Sequence, residues 1–256
     1  MKVDKLFSLN GRRALITGAG NGIGVEYARA LAQAGAAVVV TDIDAAAVER
    51  TVTQLTSEGL DAVGYALDVS DQAAVEACRD AIEGDVDILV NNAAIFATVP
   101  MSRAGYDALS VDEWDRMMTV NLRGTWLMAR TFVPLMEARG YGKVINISSG
   151  TALKGSAGRI HYVTTKAGVL GFTKTLAREV GDGGVCVNCI APGSTLSEKE
   201  QTDEVLKMRN AAVSTRALKR LQAPEDLVGA VVFLSAPASD FITGQTLVVD
   251  GGSAMH

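Results

Sequence analysis

The sequence predicts an α/β fold: a single doubly wound parallel sheet of about seven strands with helices on both faces. Short β-rich runs recur at residues 13–16, 37–41, 62–66, 88–90, 143–147, 185–190 and 246–249. Stretches of helical periodicity separate them, at 23–34, 45–58, 72–82, 111–138, 160–180 and 224–234. Most of the strand runs are continuously apolar rather than alternating, the pattern of strands buried on both faces. Repeated β-α-β order then winds the strands into a parallel sheet.

No Pro/Gly/Ser-rich linker divides the 256 residues, so the expected organisation is one domain over 1–256. A polar, charged and partly helical stretch at 193–221 breaks the rhythm, and a mobile lid over substrate is its expected use. With 48% apolar residues the chain can bury a large core, and its net charge of −5 lacks the cationic excess of a nucleic-acid binder. No run approaches the ~20 apolar residues of a membrane span, and residues 1–10 hold no signal-peptide core. These features predict a cytoplasmic protein without membrane or nucleic-acid partners. Three cysteines argue against a disulfide framework. Cys186 and Cys189 have C-x-x-C spacing, but a strand turns residues three apart to opposite faces, and no metal set accompanies them.

Thr17-Gly18-Ala19-Gly20-Asn21-Gly22-Ile23-Gly24 links the first strand to the first helix. A tight turn needs a residue without Cβ, close approach of a pyrophosphate needs another, and a third lets the helix pack on the sheet. Free N–H groups at the helix start favour phosphates. Gly18, Asn21, Gly22, Ile23 and Gly24 are therefore candidate dinucleotide ligands, in a Rossmann-type arrangement. The second strand ends at Asp42, eighteen residues past Gly24. A carboxylate there accepts hydrogen bonds from ribose hydroxyls and repels a 2′-phosphate, which favours NAD over NADP. The competing reading is that Asp42 or Asp44 caps the next helix.

With further motifs in order, the sequence resembles the short-chain dehydrogenases/reductases of the classical type. These are Asp68-Val69, Asn91-Asn92-Ala93-Ala94, Asn121, Ser148-Ser149, Tyr162-x-x-x-Lys166 and Pro192-Gly193. The resemblance implies that Asp68 and Val69 bind adenine, and that Asn91 and Ala93 lie beside the cofactor. It also implies that Pro192, Gly193 and either Thr195 or Ser197 meet the carboxamide. Ala94 stands where the family usually has Gly. Relatives are usually tetramers joined through the helices at 111–138 and 160–180. The stretches Arg220 to Pro224, Phe241 to Gln245 and Asp250 to Gly252 are similar to an NAD-dependent secondary-alcohol branch that includes 1-phenylethanol dehydrogenase.

Tyr162 and Lys166 lie four apart on a predicted helix and share one face. Hydride transfer from an alcohol needs a base, and a free phenol with pKa near 10 is too weak an acid. A neighbouring ammonium, together with the positive nicotinamide ring, is expected to favour the phenolate and lower that pKa. The family's thirteen-residue gap selects Ser149 over Ser148 as the group that hydrogen-bonds the substrate oxygen. Asn121, in a long helix, is expected to place a water that relays protons to Lys166.

Substrate is expected outside the carboxyl ends of the strands. An apolar wall of Ile95, Phe96, Val99, Pro100 and Met101, with Leu153 and Leu196, suits an aromatic or aliphatic secondary alcohol or ketone. Lys154 and Arg159 could meet an anionic substrate group, against the favoured reading of both as solvated loop charges; His161 is read as structural, and Met117 and Met118 as packing residues. Two alternatives compete with an NAD-dependent alcohol dehydrogenase. Asp42 argues against an NADPH-dependent 3-oxoacyl carrier-protein reductase. Retention of Tyr162 and Lys166 argues against a non-catalytic nicotinamide-sensing regulator.

Overall fold

The computed structural model describes residues 3–96, 101–197 and 202–255. A short helix, α1 (Val3–Leu6), precedes β1 (Arg13–Thr17), α2 (Ile23–Gln33), β2 (Ala37–Asp42), α3 (Ala45–Ser57), β3 (Ala62–Ala66), α4 (Gln72–Ala81) and β4 (Ile88–Asn91). Then follow α5 (Val111–Met118), a π turn (Thr119–Arg123), α6 (Gly124–Ala138), β5 (Gly142–Ile147), α7 (Thr151–Lys154) and α8 (Ile160–Glu179). The chain closes with β6 (Val185–Pro192), α9 (Asp203–Val213), α10 (Glu225–Ser235) and β7 (Thr246–Val249).

All seven strands join one parallel sheet in the order β3-β2-β1-β4-β5-β6-β7. Successive side chains of a strand face opposite sides, and β1 divides accordingly. Ala14 and Ile16 enter a core with Tyr27, Leu31, Val40, Leu227 and Val231, beneath α2 and α10. Leu15 enters the other with Val39, Leu89, Met128, Phe132 and Val144, beneath α6. Burying each such large side chain contributes about 1.5–3 kcal/mol. The strand order reverses between β1 and β4, so the loops that follow them diverge and open a crevice at that end of the sheet.

Local chemistry sets the helix starts. Asp44 caps α3 by accepting from the Ala47 amide at 3.1 Å, Asp71 caps α4 through the Ala73 and Ala74 amides, and Ser110 caps α5 through Glu113. The expected single helix over 111–138 is corrected: the π turn at Thr119–Arg123 interrupts it. There the Asn121 carboxamide accepts from the Ile95 amide at 2.7 Å, and Thr125 Oγ1 donates to the Asn121 carbonyl at 3.0 Å. Gly124 lets the following turn close on Val69, where a Cβ would meet the valine Cγ2 at 2.8 Å. The extra residue in the turn brings Asn121 to the end of β4.

Met117 is buried against Ile95 and Tyr162, in keeping with its reading as a packing residue. The stretch at 193–221 carries α9, and Arg216 ties its base by donating to the carbonyls of Ser194 and Arg220. Val99 and Pro100 of the expected apolar wall, and positions 198–201 of the expected lid, lie outside the described residues. Among the described residues no helix is long and apolar enough to cross a membrane, and no group of three or more His, Cys, Asp or Glu could hold a metal ion.

Candidate active site

A cavity of about 610 Å³ fills the crevice. At its floor Gly18 has φ +63°, and a Cβ there would meet the Ala93 Cα at 2.7 Å, so only glycine lets the loop after β1 cross the loop after β4. Asn92 clamps that crossing. Its Nδ2 donates to the carbonyls of Thr17 and Gly18, both at 2.9 Å, while the amides of Asn92 and Ala93 donate to Thr17 Oγ1. Helix α2 starts after Gly22 with no side chain capping it, and Asn21, Gly22 and Ile23 line the cavity. Its first amides therefore suit an acceptor of the phosphate class. Gly24 does not line the cavity; a Cβ there would meet the Gly18 carbonyl at 2.3 Å, so its part is to let α2 pack against the loop.

Asp42 and Asp44 have separate tasks. Asp44 caps α3, whereas Asp42 Oδ2 accepts from the Gly20 amide at 3.0 Å and Oδ1 from the Asp44 amide at 3.1 Å. Asp42 lines the cavity beside the exposed Ile43. The described cations lining the cavity are Arg116 on α5 and Lys166 on α8, neither at the β2 end. Asp68 and Val69 line the wall between, with Asp68 Oδ1 held by the Ser70 amide and hydroxyl at 2.8 and 2.6 Å. Pro192, Gly193, Thr195 and Ser197 line the opposite side, where the Thr195 hydroxyl donates to the Gly193 carbonyl at 3.2 Å. Ala94 lines the cavity as well. No described non-glycine residue has positive φ, so alanine at this position carries no backbone strain.

Tyr162, Lys166 and Ser149 meet at the end of β5. Ser149 Oγ accepts from the Thr151 amide at 3.2 Å and the Thr151 hydroxyl at 2.9 Å, which leaves its own proton for the Tyr162 oxygen. Ser148 instead donates to the Lys166 carbonyl at 2.7 Å and so holds α8 against β5. The structure thus gives the two serines different partners. Lys166 Nζ donates to the Ile147 carbonyl at 2.8 Å and lies 5.8 Å from the centre of the Tyr162 ring.

Burial pushes the Tyr162 phenol up to about 12, against the opposing Ser149 hydrogen bond and the charges of Arg159 and Arg209. Burial also pulls the Lys166 ammonium down to about 8, with Cys189 opposing. Desolvation dominates both groups, and the cations that act on Tyr162 are the two arginines. Asn121 is buried, and its side chain meets Ile95, Thr165 and Met117.

The low Lys166 pKa has a consequence for stability. Between about 8 and its ordinary 10.5 the unfolded chain binds the proton that the folded chain has released. Stability from this group therefore rises with pH in that window, and the full burial penalty applies below it. In urea titrations at pH 7 and pH 9, wild type is expected to gain about 1.4 kcal/mol relative to Lys166→Met over that interval. Parallel pH profiles of the two proteins would show that the amine is not desolvated.

The family model described as enoyl-(acyl carrier protein) reductase matches residues 18–254, most of the chain. The chain belongs to the short-chain dehydrogenase/reductase family. It is 38% identical to the (2S)-((R)-hydroxy(phenyl)methyl)succinyl-CoA dehydrogenase subunit BbsD of Thauera aromatica, over 96% of this chain and 98% of that one. A gluconate 5-dehydrogenase from Burkholderia cenocepacia, in complex with NADP and tartrate, superposes with a TM-score of 0.90 at 37% identity, covering 99% of this chain and 100% of the other. A 3-oxoacyl-(acyl-carrier protein) reductase from Brucella melitensis with bound NAD gives 0.89 at 35% identity, covering 100% and 97%.

In this short-chain dehydrogenase/reductase several expected positions shift. Asn91 is buried, donating from Nδ2 to Asn146 Oδ1 at 2.9 Å, and is not among the cavity's lining residues. Its neighbour Asn92 lines the cavity instead, because adjacent residues at a strand end point opposite ways. Phe96 lines the cavity with its ring 5.0 Å from that of Tyr162. Leu153, exposed on α7, and Leu196, whose amide donates to the Gln222 carbonyl, do not line it. Lys154 is exposed and donates to Ser253, but Arg159 is not a solvated loop charge: it is half-buried, 5.6 Å above the Phe96 ring. His161 is buried and pairs with Glu113 on α5 at 3.3 Å, a contact that fixes the start of α8. Neither Asn92 nor the buried state of Arg159 carries a local sequence signal beyond the family motif.

Proposed function

We propose that the chain is an NAD-dependent oxidoreductase that interconverts a secondary alcohol and its ketone, with Tyr162 as general acid/base. The observation that carries this reading is the pairing of Tyr162 with a Ser149 whose proton is free for it, at the end of a cavity whose β2 end is walled by Asp42. A dinucleotide fits the residues present: Asn21, Gly22 and Ile23 would hold the pyrophosphate, Asp42 the ribose, and Asp68 and Val69 the adenine. Lys166, Pro192, Gly193, Thr195 and Ser197 would hold the nicotinamide half. When bound, the nicotinamide supplies the acceptor or donor of hydride.

The protein's own groups do the rest. Tyr162, held neutral by burial, donates its proton to a ketone oxygen, and in the reverse direction its phenolate takes the hydroxyl proton. Ser149 hydrogen-bonds the same oxygen where charge develops. Phe96 and Ile95 supply an apolar wall, and the stretch at 193–221, from which Gly193, Thr195 and Ser197 line the cavity, would serve as the substrate lid of this single domain. The Thauera aromatica relative is named for a substrate whose hydroxyl-bearing carbon also carries a phenyl group, which supports an aromatic secondary alcohol. The structural neighbours carry NADP in one case and NAD in the other, so cofactor choice rests on Asp42.

The competing reaction, reduction of the 3-oxo group of a carrier-protein-bound acyl thioester, is supported by the name of the Brucella melitensis neighbour. Initial rates at 340 nm with a panel of secondary alcohols and ketones, against a 3-oxoacyl carrier-protein thioester, separate the two. The proposal expects at least about tenfold higher kcat/KM on the best alcohol or ketone. Turnover confined to the thioester would overturn it.

A further inference from the structure

Arg159 precedes α8 and stands three residues before Tyr162. Its guanidinium lies 5.6 Å over the Phe96 ring, and that ring packs at 5.0 Å and 31° on Tyr162. A cation is thus held one aromatic ring away from the phenol, against Phe96, which lines the cavity while Arg159 itself is not among the lining residues. Among the described residues its Nε is buried with no hydrogen-bond partner. Such an orphaned donor costs free energy unless a ligand satisfies it.

The surroundings add positive charge. Arg209 on α9 is buried, its Nη1 donating to Ser194 Oγ at 3.1 Å, and its charge acts on both Arg159 and Tyr162. Arg103 lies over the approach to α8: a Cβ on Gly158 would meet its carbonyl at 3.0 Å, and its charge also acts on Arg159. Burial and these two arginines lower the Arg159 pKa, with the Tyr162 phenol opposing among the described residues. Of the acids on the facing helix α5, Glu113 is engaged by His161 and by the Ser102 amide at 2.7 Å. A half-buried guanidinium whose Nε lacks a hydrogen-bond partner is unfavourable on its own and becomes favourable when an anion joins it.

We propose that the substrate carries a carboxylate on an apolar body, with the body against Phe96 and the carboxylate on the Arg159 guanidinium. The planar guanidinium fork matches a carboxylate in two parallel hydrogen bonds. Phe96 separates that contact from Tyr162 by the width of a ring, so the preferred molecule has its carboxylate across an aryl or comparable spacer from the reacting carbon. This rests on Tyr162 as the reacting group and makes Arg159 a specificity residue of the same site.

The test compares 4-(1-hydroxyethyl)benzoate with the neutral 1-(4-methylphenyl)ethanol in wild type, Arg159→Gln and Arg159→Lys. Wild type is expected to favour the carboxylate by about 30-fold in kcat/KM, mainly through KM, the scale of a charge-assisted bidentate contact. Arg159→Gln should bring that ratio to within threefold of one, with Arg159→Lys between. Equal use of the two alcohols by wild type, or an equal loss on both in Arg159→Gln, would overturn the proposal. Calorimetric titration of 4-acetylbenzoate and 4-methylacetophenone into the enzyme with NADH separates it from the reading of the reaction. Binding that favours the anion and is lost in Arg159→Gln sustains the anion site even if neither alcohol turns over. Equal binding of the two ketones refutes it.

Discussion

Replacing Tyr162 by Phe is expected to lower kcat by about 10²–10⁴-fold, the usual contribution of a positioned general acid or base. The substitution deletes one oxygen and keeps the ring, so the Phe96 contact at 5.0 Å survives. The Ser149 hydroxyl remains held by Thr151 at 2.9 Å and loses only its bond to the phenol. Melting temperature and NADH affinity, followed by nucleotide fluorescence, should therefore stay close to wild type. Retention of more than a tenth of the wild-type kcat would remove Tyr162 from the chemistry. Transition-state stabilisation is the only property the deleted oxygen is asked to supply, so kcat and kcat/KM should fall together.

The second large effect concerns the cofactor. In Asp42→Ser combined with Ile43→Arg, the carboxylate that faces the cavity goes, and a guanidinium enters at an exposed position on the same wall. A carboxylate against a phosphate costs several kcal/mol, and each 1.4 kcal/mol is a factor of about ten. The ratio of kcat/KM for NAD⁺ over NADP⁺ should therefore fall by at least about 10²-fold. The change also removes the acceptor of the Gly20 and Asp44 amides, so a modest loss of stability accompanies it. An unchanged ratio would reduce Asp42 to an anchor of the glycine loop.

The parts of the site that were legible from sequence are those where chemistry or sterics leaves few choices. The glycine loop has to cross the β4 loop without a Cβ, and Tyr162 and Lys166 have to share a helix face. Strands read well because β1, β2 and β4 are apolar on both sides, which only a sandwiched parallel sheet demands. What was hidden depends on contacts distant in the chain. Periodicity over 111–138 cannot reveal one extra residue in a turn, which exists because Asn121 reaches Ile95. Asn91 and Asn92 are alike locally; the pairing of β4 with β5 sends one to Asn146 and leaves the other at the loop.

Arg159 follows the same rule. Its loop composition reads as solvated, and its burial comes from Phe96 beneath it and from the segment around Arg103 folding over Gly158. The proton affinities of Tyr162 and Lys166 are set in the same way. Spacing places Lys166 near Tyr162, but how much water surrounds each group is a property of the whole sheet, and desolvation outweighs their mutual charge effect.

The most direct test of the account is kcat/KM of the wild-type enzyme for 1-phenylethanol oxidation, measured with NAD⁺ and with NADP⁺ in the same buffer. Asp42 on the cavity wall predicts turnover that favours NAD⁺ by about 10²-fold or more. Equal use of the two cofactors, or a preference for NADP⁺, would contradict it.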